Sequence, residues 1–307
     1  MDAAGVFHGL LRRSRIIRRF PKQVVSIGNQ LVSSPLTAYV LRFLNRTDKS
    51  EKEKTREEKE YFDGKKSEID SNCALFGDEK SRKIYRGVIE YRSTLNPKAI
   101  KNLSEHPRHQ YADGVLLPVR STEVFVDVGA GFGESTETVK KFFNENTSGE
   151  FSFRPVFIDA DPFNLDICRK TAGGGGENLF LECVCARKSG EKVSFLSGLY
   201  LSSRIVGNGE NAGVNERETA AVDDLCDTYN IAPTYIKYDI EGADFDALLG
   251  SARTIEKYRP RLAVSIYHRK EHVIEIIQWI NGNYPFYKLY VRHYSGAAFD
   301  TVLYCIP

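Results

Sequence analysis

The chain has 307 residues, of which 41% are hydrophobic and 27% are charged. This composition is ordinary for a soluble globular protein, and it excludes wholesale disorder and a fibrous chain. No apolar run reaches the roughly 18–20 residues that a membrane-spanning helix needs. The formal net charge of +2 is too balanced for a general nucleic-acid binder, so no nucleic-acid partner is expected.

The N-terminal 80 residues differ in composition from the rest and are predicted to form an extension or linker. Residues 1–50 contain nine Lys or Arg against two Asp or Glu, and residues 47–70 are a dense charge run typical of a solvated helix or mobile linker. No secretory signal is recognisable, which favours a cytoplasmic location. An extension packed on the domain is the favoured interpretation of residues 1–45. The alternative is a basic amphipathic helix that contacts a membrane surface or a protein partner.

The six cysteines are scattered along the chain. Only Cys183 and Cys185 are close neighbours, and no second pair follows at a spacing typical of zinc ligands. We therefore expect buried free thiols in a reducing compartment and no cysteine-based metal site.

Two further regions follow the extension. Residues 81–122 are predicted to form a helical cap with a break at Pro97. From residue 123 to 307, short β-branched or aromatic runs alternate with helical stretches, which indicates an α/β domain with a parallel sheet covered by helices on both faces. The last two strand-like runs are FYKLYVRHY and FDTVLYCIP, and they are predicted to pair as an antiparallel hairpin at one sheet edge.

The segment VFVDVGAGFGEST is the most informative part of the sequence. An apolar strand carries Asp127 near its end, and Gly129, Gly131 and Gly133 then allow a tight turn whose N–H groups can approach a ligand at a helix N-terminus. A dinucleotide fingerprint would require its third glycine where Glu134 stands. A carboxylate at the strand tip would repel a pyrophosphate, but it would attract the positive charges of S-adenosylmethionine.

A second acidic residue, Asp159, ends the next predicted strand in PVFIDADP. One carboxylate can accept hydrogen bonds from both ribose hydroxyls, so Asp159 is the predicted ribose ligand. Asp161 is the rival for this role, although its place before Pro162 is better suited to a helix cap.

A third cluster, Lys237, Asp239 and Glu241, lies at the predicted carboxyl end of a later strand. Residues two apart share one side if the strand continues through them. His268 follows the next strand, next to Tyr267. Ligands of open α/β sheets bind outside these strand ends, so the cluster is a candidate catalytic site. Lys237, which lies earlier in its strand, is alternatively a structural ion-pair partner.

These residues resemble the FkbM-type methyltransferases, a family of class I S-adenosylmethionine-dependent enzymes. The resemblance covers about residues 81–307, and the segments that carry it are VFVDVGAGFGEST, IKYDIEGADFDALLGSARTI, RPRLAVSIYH and DTVLY. It is most specific in the Lys-x-Asp-x-Glu-Gly-Ala run and the Arg-Pro and Tyr-His elements that follow it. It implies a Rossmann-like sheet of seven strands whose last strand is antiparallel, and methyl transfer to a hydroxyl of a sugar, a glycan or a secondary metabolite. By position, it places Asp127 and the three glycines at the methionine end of the cofactor, Asp159 at the ribose, and Asp239 and Glu241 beside the methyl group. The family usually has Glu-Pro where this chain has Asp159-Ala160.

The mechanism expected from these residues is an in-line displacement in which a substrate oxygen attacks the methyl group. A sugar-type hydroxyl is a poor acid, so Asp239, Glu241 and His268 are candidate general bases. A divalent metal bound by the same groups is the second choice, because no spacing demands a metal. A nicotinamide-dependent oxidoreductase and a non-catalytic binding module with this fold are the rival functions. The predicted partner is a small-molecule or glycan acceptor.

Overall fold

The computed structural model describes residues 48–172, 178–196, 204–205 and 214–307. The chain divides into two compact units, residues 1–54 and residues 55–307. The described part of the first unit is the beginning of a helix. The basic segment of residues 1–45 lies outside the described residues, so the contact with a membrane or protein expected there stays a prediction.

Strands alternate with helices over most of the larger unit. The strands are β1 (Thr122–Val128), β2 (Ser152–Asp159), β3 (Leu179–Glu182), β4 (Val184–Cys185), β5 (Lys192–Leu196), β6 (Arg204–Ile205), β7 (Val214–Ala220), β8 (Tyr235–Tyr238), β9 (Arg261–Ser265), β10 (Lys288–His293) and β11 (Thr301–Ile306). The helices are α1 (Asp48–Gly64), α2 (Lys66–Leu75), α3 (Glu79–Thr94), α4 (Glu134–Asn146), α5 (Pro162–Thr171), α6 (Val222–Thr228), α7 (Asp244–Leu249), α8 (Ala252–Tyr258) and α9 (His272–Asn283). Short 3-10 turns at Pro97–Ala99 and Pro107–His109 follow α3.

The main sheet has seven strands in the order β10-β11-β9-β8-β1-β2-β3. Strands β3, β2, β1, β8 and β9 are parallel, whereas β11 is antiparallel to both β9 and β10. The predicted α/β fold with seven strands and a terminal antiparallel hairpin is therefore confirmed. The last strand of the chain, β11, lies between β9 and the edge strand β10.

Both faces of the sheet are buried, which explains why its strands are almost continuously apolar. In β9, Leu262 and Val264 join one hydrophobic cluster, whereas Ala263 between them joins the cluster on the other face. The larger cluster contains residues of α2, α3 and α9, and the smaller one contains Val139 and Phe143 of α4. Side chains that alternate across the sheet thus fill two cores, as the period of two in a strand requires.

The charge run of the extension and the segment after it are helical in the described residues. Phe62 of α1, Ile69 of α2 and Phe76 after α2 are buried in the larger core cluster. Residues 55–80 therefore pack on the same core as the sheet. The predicted domain boundaries at residues 80 and 122 stay predictions.

The apolar segment NLFLECVCA (residues 178–186) contains two strands that belong to different sheets. β3 pairs with β2, whereas β4 pairs with β7 in a second sheet of order β4-β7-β5-β6. Cys183 lies between them and is partly exposed, whereas Cys185 is buried. The second sheet was not predicted from the sequence. Its strand β7, VNERETA (residues 214–220), is polar, and the strands that pair with it are distant in the sequence. The glycine run 173–176 before β3 lies outside the described residues.

No helix among the described residues is long and apolar enough to cross a membrane.

Candidate functional site

The candidate site lies at the carboxyl ends of β1, β2, β8 and β9. These strands are neighbours and parallel, so the turns that follow them meet at one edge of the sheet. The turn after β1 carries the three glycines, and the other three strand ends carry the predicted acidic residues and His268. The sheet thus brings together residues that are more than 100 positions apart, at the edge where open α/β sheets bind ligands.

The glycine turn after β1 requires its glycines. Gly129, Gly131 and Gly133 have φ angles of 82°, 55° and 87°, the left-handed region that side chains with a Cβ disfavour. A Cβ at Gly129 would collide with the backbone carbonyl oxygen of Asp239. Gly133 precedes the first turn of α4. The turn therefore packs closely against the β8 turn and leads into a helix N-terminus. The N–H groups of Gly129, Gly131 and Gly133 donate to Ile158, Asp159 and Ala130, so a contact of this turn with a cofactor stays a prediction.

Asp127 is fully buried beneath this turn. Its Oδ1 lies 2.8 Å from Nζ of Lys237, and its Oδ2 accepts hydrogen bonds from the hydroxyls of Ser135 (2.5 Å) and Thr136 (2.7 Å). Lys237 also donates to the carbonyl oxygen of Gly129 at 2.6 Å. The charge of Asp127 is thus compensated within the fold, which weakens the electrostatic reason for placing it near a cationic cofactor. A cofactor contact by Asp127 stays a prediction.

Lys237 is a structural ion-pair partner, the alternative that the sequence left open. Burial lowers the pKa of its ammonium group, but the negative charges of Asp127 and Asp239 outweigh this effect and the pKa is raised. Lys237 therefore stays protonated and joins β8 to the turn after β1.

Asp159 is half-buried at the end of β2 and is held by three N–H donors. Its Oδ2 accepts from the amide of Gly131 (2.9 Å), and its Oδ1 accepts from the amide of Asp161 (2.8 Å) and the side chain of Asn164 (3.1 Å). A carboxylate has about four lone-pair positions, so about one remains, on Oδ2. Burial raises the pKa of Asp159 to about 6, although the hydrogen bonds oppose the shift.

Asp161, the rival ribose ligand, caps a helix instead. Its side chain is buried and accepts a hydrogen bond from the amide of Phe163 at 3.1 Å, at the N-terminus of α5. This is the typical role of an Asp before a helix that begins with proline. The ribose contact of Asp159 itself stays a prediction.

The structure brings the three predicted catalytic residues together. Nε2 of His268 lies 3.3 Å from Oδ1 of Asp239 and 3.7 Å from Oε2 of Glu241. The expected alternation along the strand does not hold, because β8 ends at Tyr238 and Glu241 adopts a left-handed conformation with φ of 55°. Lys237 consequently faces Asp127, whereas Asp239 and Glu241 reach His268 through a turn.

Three groups that the sequence analysis did not assign to the site support this cluster. The hydroxyl of Tyr111 donates to Oδ2 of Asp239 at 2.9 Å, and the hydroxyl of Tyr267 donates to Oδ1 at 3.2 Å. Asp244 is fully buried, and its Oδ2 lies 2.8 Å from Nδ1 of His268. Asp244 has the pattern of an ordinary acidic residue in a first helical turn, and Tyr111 lies in an irregular segment without a periodic pattern. The sequence around these two residues therefore did not indicate that they contact His268 and Asp239.

The contacts among Asp239, Asp244 and His268 also determine whether these residues can bind a metal ion. Asp239, Asp244 and His268 each have one potential ligand atom within 4.8 Å of the others. However, Asp244 already accepts hydrogen bonds from the amides of Ile240 (2.9 Å) and Gly242 (3.1 Å) as well as facing His268. A cation bound by this set would have to replace the contact between Asp244 and His268, so we do not assign these residues as metal ligands.

The chain is similar to known proteins in both sequence and fold. Residues 127–287 match the family model for the methyltransferase FkbM domain, which is about half of the chain. A crystal structure of the methyltransferase FkbM from Methylobacillus flagellatus KT is 23% identical, with a TM-score of 0.66 over 80% of this chain and 60% of that chain. This chain thus spans about 60% of the length of that protein, and at this identity the likeness concerns the fold. No curated protein matches the chain significantly.

Two more distant structures also align. Fibrillarin from Aeropyrum pernix, with natively bound S-adenosyl-L-methionine, is 9% identical with a TM-score of 0.39 over 72% of this chain and 76% of that one. Precorrin-6y C5,15-methyltransferase from Geobacter metallireducens GS-15 is 11% identical with a TM-score of 0.35 over 66% and 97% of the two chains. Both scores are too low to carry a functional argument.

Proposed function

Because the chain belongs to the FkbM methyltransferase family, we propose that it is an S-adenosylmethionine-dependent O-methyltransferase that acts on a hydroxyl of a sugar, a glycan or a secondary metabolite. The observation that carries this proposal is the position of the glycine turn at the sheet edge. The turn lies between Asp159 at the end of β2 and Asp239 after β8. Gly131 donates to Asp159 on one side, and Gly129 approaches the backbone of Asp239 closely on the other.

The residues at this edge fit the cofactor. Asp159 retains an acceptor position on Oδ2 for one ribose hydroxyl. The second hydroxyl needs another partner, or it displaces Asn164 from Oδ1. A contact of Asp159 with both ribose hydroxyls, as expected from the sequence, therefore requires that one of its present donors leaves.

The remaining chemistry belongs to the residues of the chain. When bound, S-adenosylmethionine supplies an electrophilic methyl group, and the protein positions the acceptor oxygen and removes its proton. Asp239, Glu241 and His268 are the candidate bases, since their polar atoms converge within 3.7 Å of His268 Nε2. Base catalysis is the first choice and metal assistance the second.

Calorimetric titration tests the cofactor directly. We expect micromolar binding of S-adenosylmethionine and S-adenosylhomocysteine, no binding of NAD, and loss of binding in Asp159→Ala. The matched control is Asp166→Ala, which removes an exposed carboxylate of α5 that pairs with Arg169. Binding that survives equally in both variants would remove Asp159 from the cofactor site.

The rival functions give different results. NAD binding without adenosyl-ligand binding would favour the oxidoreductase. Binding of S-adenosylmethionine without transfer of its radiolabelled methyl group to any acceptor, in a screen that begins with glycans, would favour the binding module. Transfer that is lost with EDTA and restored by Mg²⁺ would favour metal assistance over a base.

A further inference from the structure

The three candidate bases are not equivalent in their surroundings. We infer that His268 removes the proton of the acceptor hydroxyl through Nε2, and that Asp244 is a positioning residue that holds the imidazole in the required tautomer and orientation. This inference rests on the proposed methyl transfer to oxygen. Asp239 and Asp244 have separate roles in this inference. Asp244 was not among the site residues predicted from the sequence.

The surroundings of Asp244 favour its ionised form, which accepts hydrogen bonds. It is fully buried at the start of α7, and it receives the amides of Ile240 and Gly242 in addition to Nδ1 of His268. Burial alone would raise its pKa, but the interaction with His268 and the hydrogen bond from the amide of Ile240 outweigh it, so the pKa is lowered. An ionised carboxylate can only accept hydrogen bonds.

The tautomer of His268 follows from this contact. Because Asp244 cannot donate, the 2.8 Å contact requires a proton on Nδ1 of His268. In the neutral imidazole, Nε2 then carries the lone pair and is the basic atom. Nε2 is buried and is directed toward Asp239 and Glu241, whose side chains keep about a quarter of their surface exposed (24% and 22%), so an acceptor has to enter between these two carboxylates to reach it.

Asp239 is less suited to be the base itself. Both of its carboxylate oxygens accept hydrogen bonds from tyrosine hydroxyls, Oδ2 from Tyr111 and Oδ1 from Tyr267. Both oxygens are therefore already engaged as acceptors by groups of the protein. Asp239 instead lies 3.3 Å from Nε2 of His268, where its negative charge stabilises the imidazolium that forms when the proton arrives.

The step balances with these groups alone. The acceptor oxygen forms a bond to the methyl carbon while the bond between that carbon and the sulfonium sulfur breaks. The hydroxyl proton passes to Nε2 of His268, and the sulfur keeps the electron pair as neutral S-adenosylhomocysteine. The imidazolium afterwards releases its proton to water.

Several charged or titratable groups surround His268, and each affects its protonation. Three acidic groups face it from the turn after β8 and from α7, and basic groups lie on the segment after β9 and on α9. These groups are Asp239, Glu241, Asp244, Arg269 and His272, and the ring of Tyr267 lies with its centroid 4.1 Å away, tilted by 39°. A pH profile of one variant therefore requires a matched control with the other groups intact.

The first test is a measurement on the wild-type protein. Two-bond ¹H–¹⁵N correlation spectra of histidine-labelled protein distinguish protonated from unprotonated ring nitrogens, and His268→Gln assigns the signals. We expect neutral His268 to carry its proton on Nδ1. In Asp244→Asn, the amide group can donate to Nδ1, so the proton should move to Nε2. Asp246→Asn makes the same change at an exposed position of α7 and should leave the tautomer unchanged.

The second test is kinetic and uses the acceptor found in the methyl-transfer screen. His268→Gln and Asp244→Asn should each lower kcat by about 10²-fold or more, the usual contribution of a positioned base, whereas KM and S-adenosylhomocysteine affinity should change by less than about twofold. The acid limb of the residual activity of Asp244→Asn should move to lower pH, because the imidazolium loses a negative partner. A merely structural role would leave this limb in place.

The outcomes separate this inference from the proposed function. A wild-type His268 protonated on Nε2, or an Asp244→Asn profile identical to that of Asp246→Asn, would overturn the inference even if the enzyme methylates its acceptor. The expected tautomer without any S-adenosylhomocysteine binding would overturn the proposed function. If Asp244→Asn fails to fold, the wild-type tautomer and the kinetics of His268→Gln still decide.

Discussion

At the scale of single residues, Asp159 combines two opposing effects. Three N–H donors stabilise its ionised form, but burial at the end of β2 outweighs them and raises its pKa to about 6. The group therefore titrates near neutral pH, where a carboxylate in water would be fully ionised. A ligand whose hydroxyl donates to Asp159 binds the ionised form and should drive its proton off.

The first prediction concerns this linkage. Affinity for S-adenosylhomocysteine should fall as the pH decreases through about 6, because the protonated carboxyl loses its acceptor role. Calorimetry at pH 6 in buffers of different ionisation enthalpy should detect release of about half a proton on binding, and release should approach zero at pH 8. Asp159→Asn should remove this release and Asp166→Asn should not. Proton release that persists in Asp159→Asn would assign it to another group.

The second prediction separates two costs of a Cβ at a glycine with positive φ. Gly149→Ala should cost about 1–2 kcal/mol of stability through its backbone conformation alone, because its φ is 94° and no atom lies within 4 Å of a Cβ there. Gly129→Ala has a similar φ of 82° but also collides with the carbonyl oxygen of Asp239. Chemical denaturation should therefore show a larger loss for Gly129→Ala, and calorimetry should show loss of S-adenosylhomocysteine binding for that variant only.

At the scale of elements, buried ion pairs join segments that are distant in the sequence. Lys237 and Asp127 join β8 to β1 directly beneath the glycine turn. Arg92 of α3 binds Glu58 of α1 at 2.8 Å and donates to the carbonyl oxygen of Tyr267 at 2.8 Å, next to His268. The N-terminal helices thus hold the backbone of the candidate site from outside the sheet.

The third prediction compares a buried pair with an exposed one. Asp127→Asn should lower the free energy of unfolding by about 3–5 kcal/mol, because it leaves the buried ammonium of Lys237 uncompensated. Glu216→Gln makes the same chemical change in the exposed pair with Lys192, and should cost at most about 1 kcal/mol. Urea denaturation of both variants checks the difference. Equal small effects would mean that water or a shifted proton compensates Lys237.

At the scale of the whole molecule, the buried cysteines report how completely the protein interior around them excludes water. All six are free thiols, and five are buried; Cys183 is partly exposed between β3 and β4. Burial raises the pKa of the Cys168 thiol to about 12 and that of Cys226 to about 11, which further suppresses their thiolate forms.

The fourth prediction follows from this distribution. In the folded protein, a disulfide reagent such as DTNB should modify about one thiol rapidly, and six after denaturation. Cys183→Ser should remove the rapid phase, whereas Cys168→Ser should leave it unchanged. Rapid modification of several thiols in the native protein would show that the cores open readily.

Local patterns were sufficient to predict the strands that belong to the main sheet. The runs around Val126, Val156 and Val264 are apolar because both faces of these strands are buried, and this pattern does not depend on which strands are neighbours. The glycine turn was predictable for the same reason, since positive φ angles require glycine locally. The second sheet could not be predicted, because β4 and β6 have only two residues each, β7 is polar, and the strands are held together by pairing between distant segments.

The sequence by itself therefore determined the fold class, the position of the glycine turn and the residue types at the strand ends. Only the tertiary structure decided the roles of these residues. It paired Asp127 with Lys237, and brought Tyr111 and Asp244 to Asp239 and His268. The reason is physical: a conformational preference acts within a few residues, whereas protonation, tautomer and charge compensation depend on groups that the sheet brings close from distant parts of the chain.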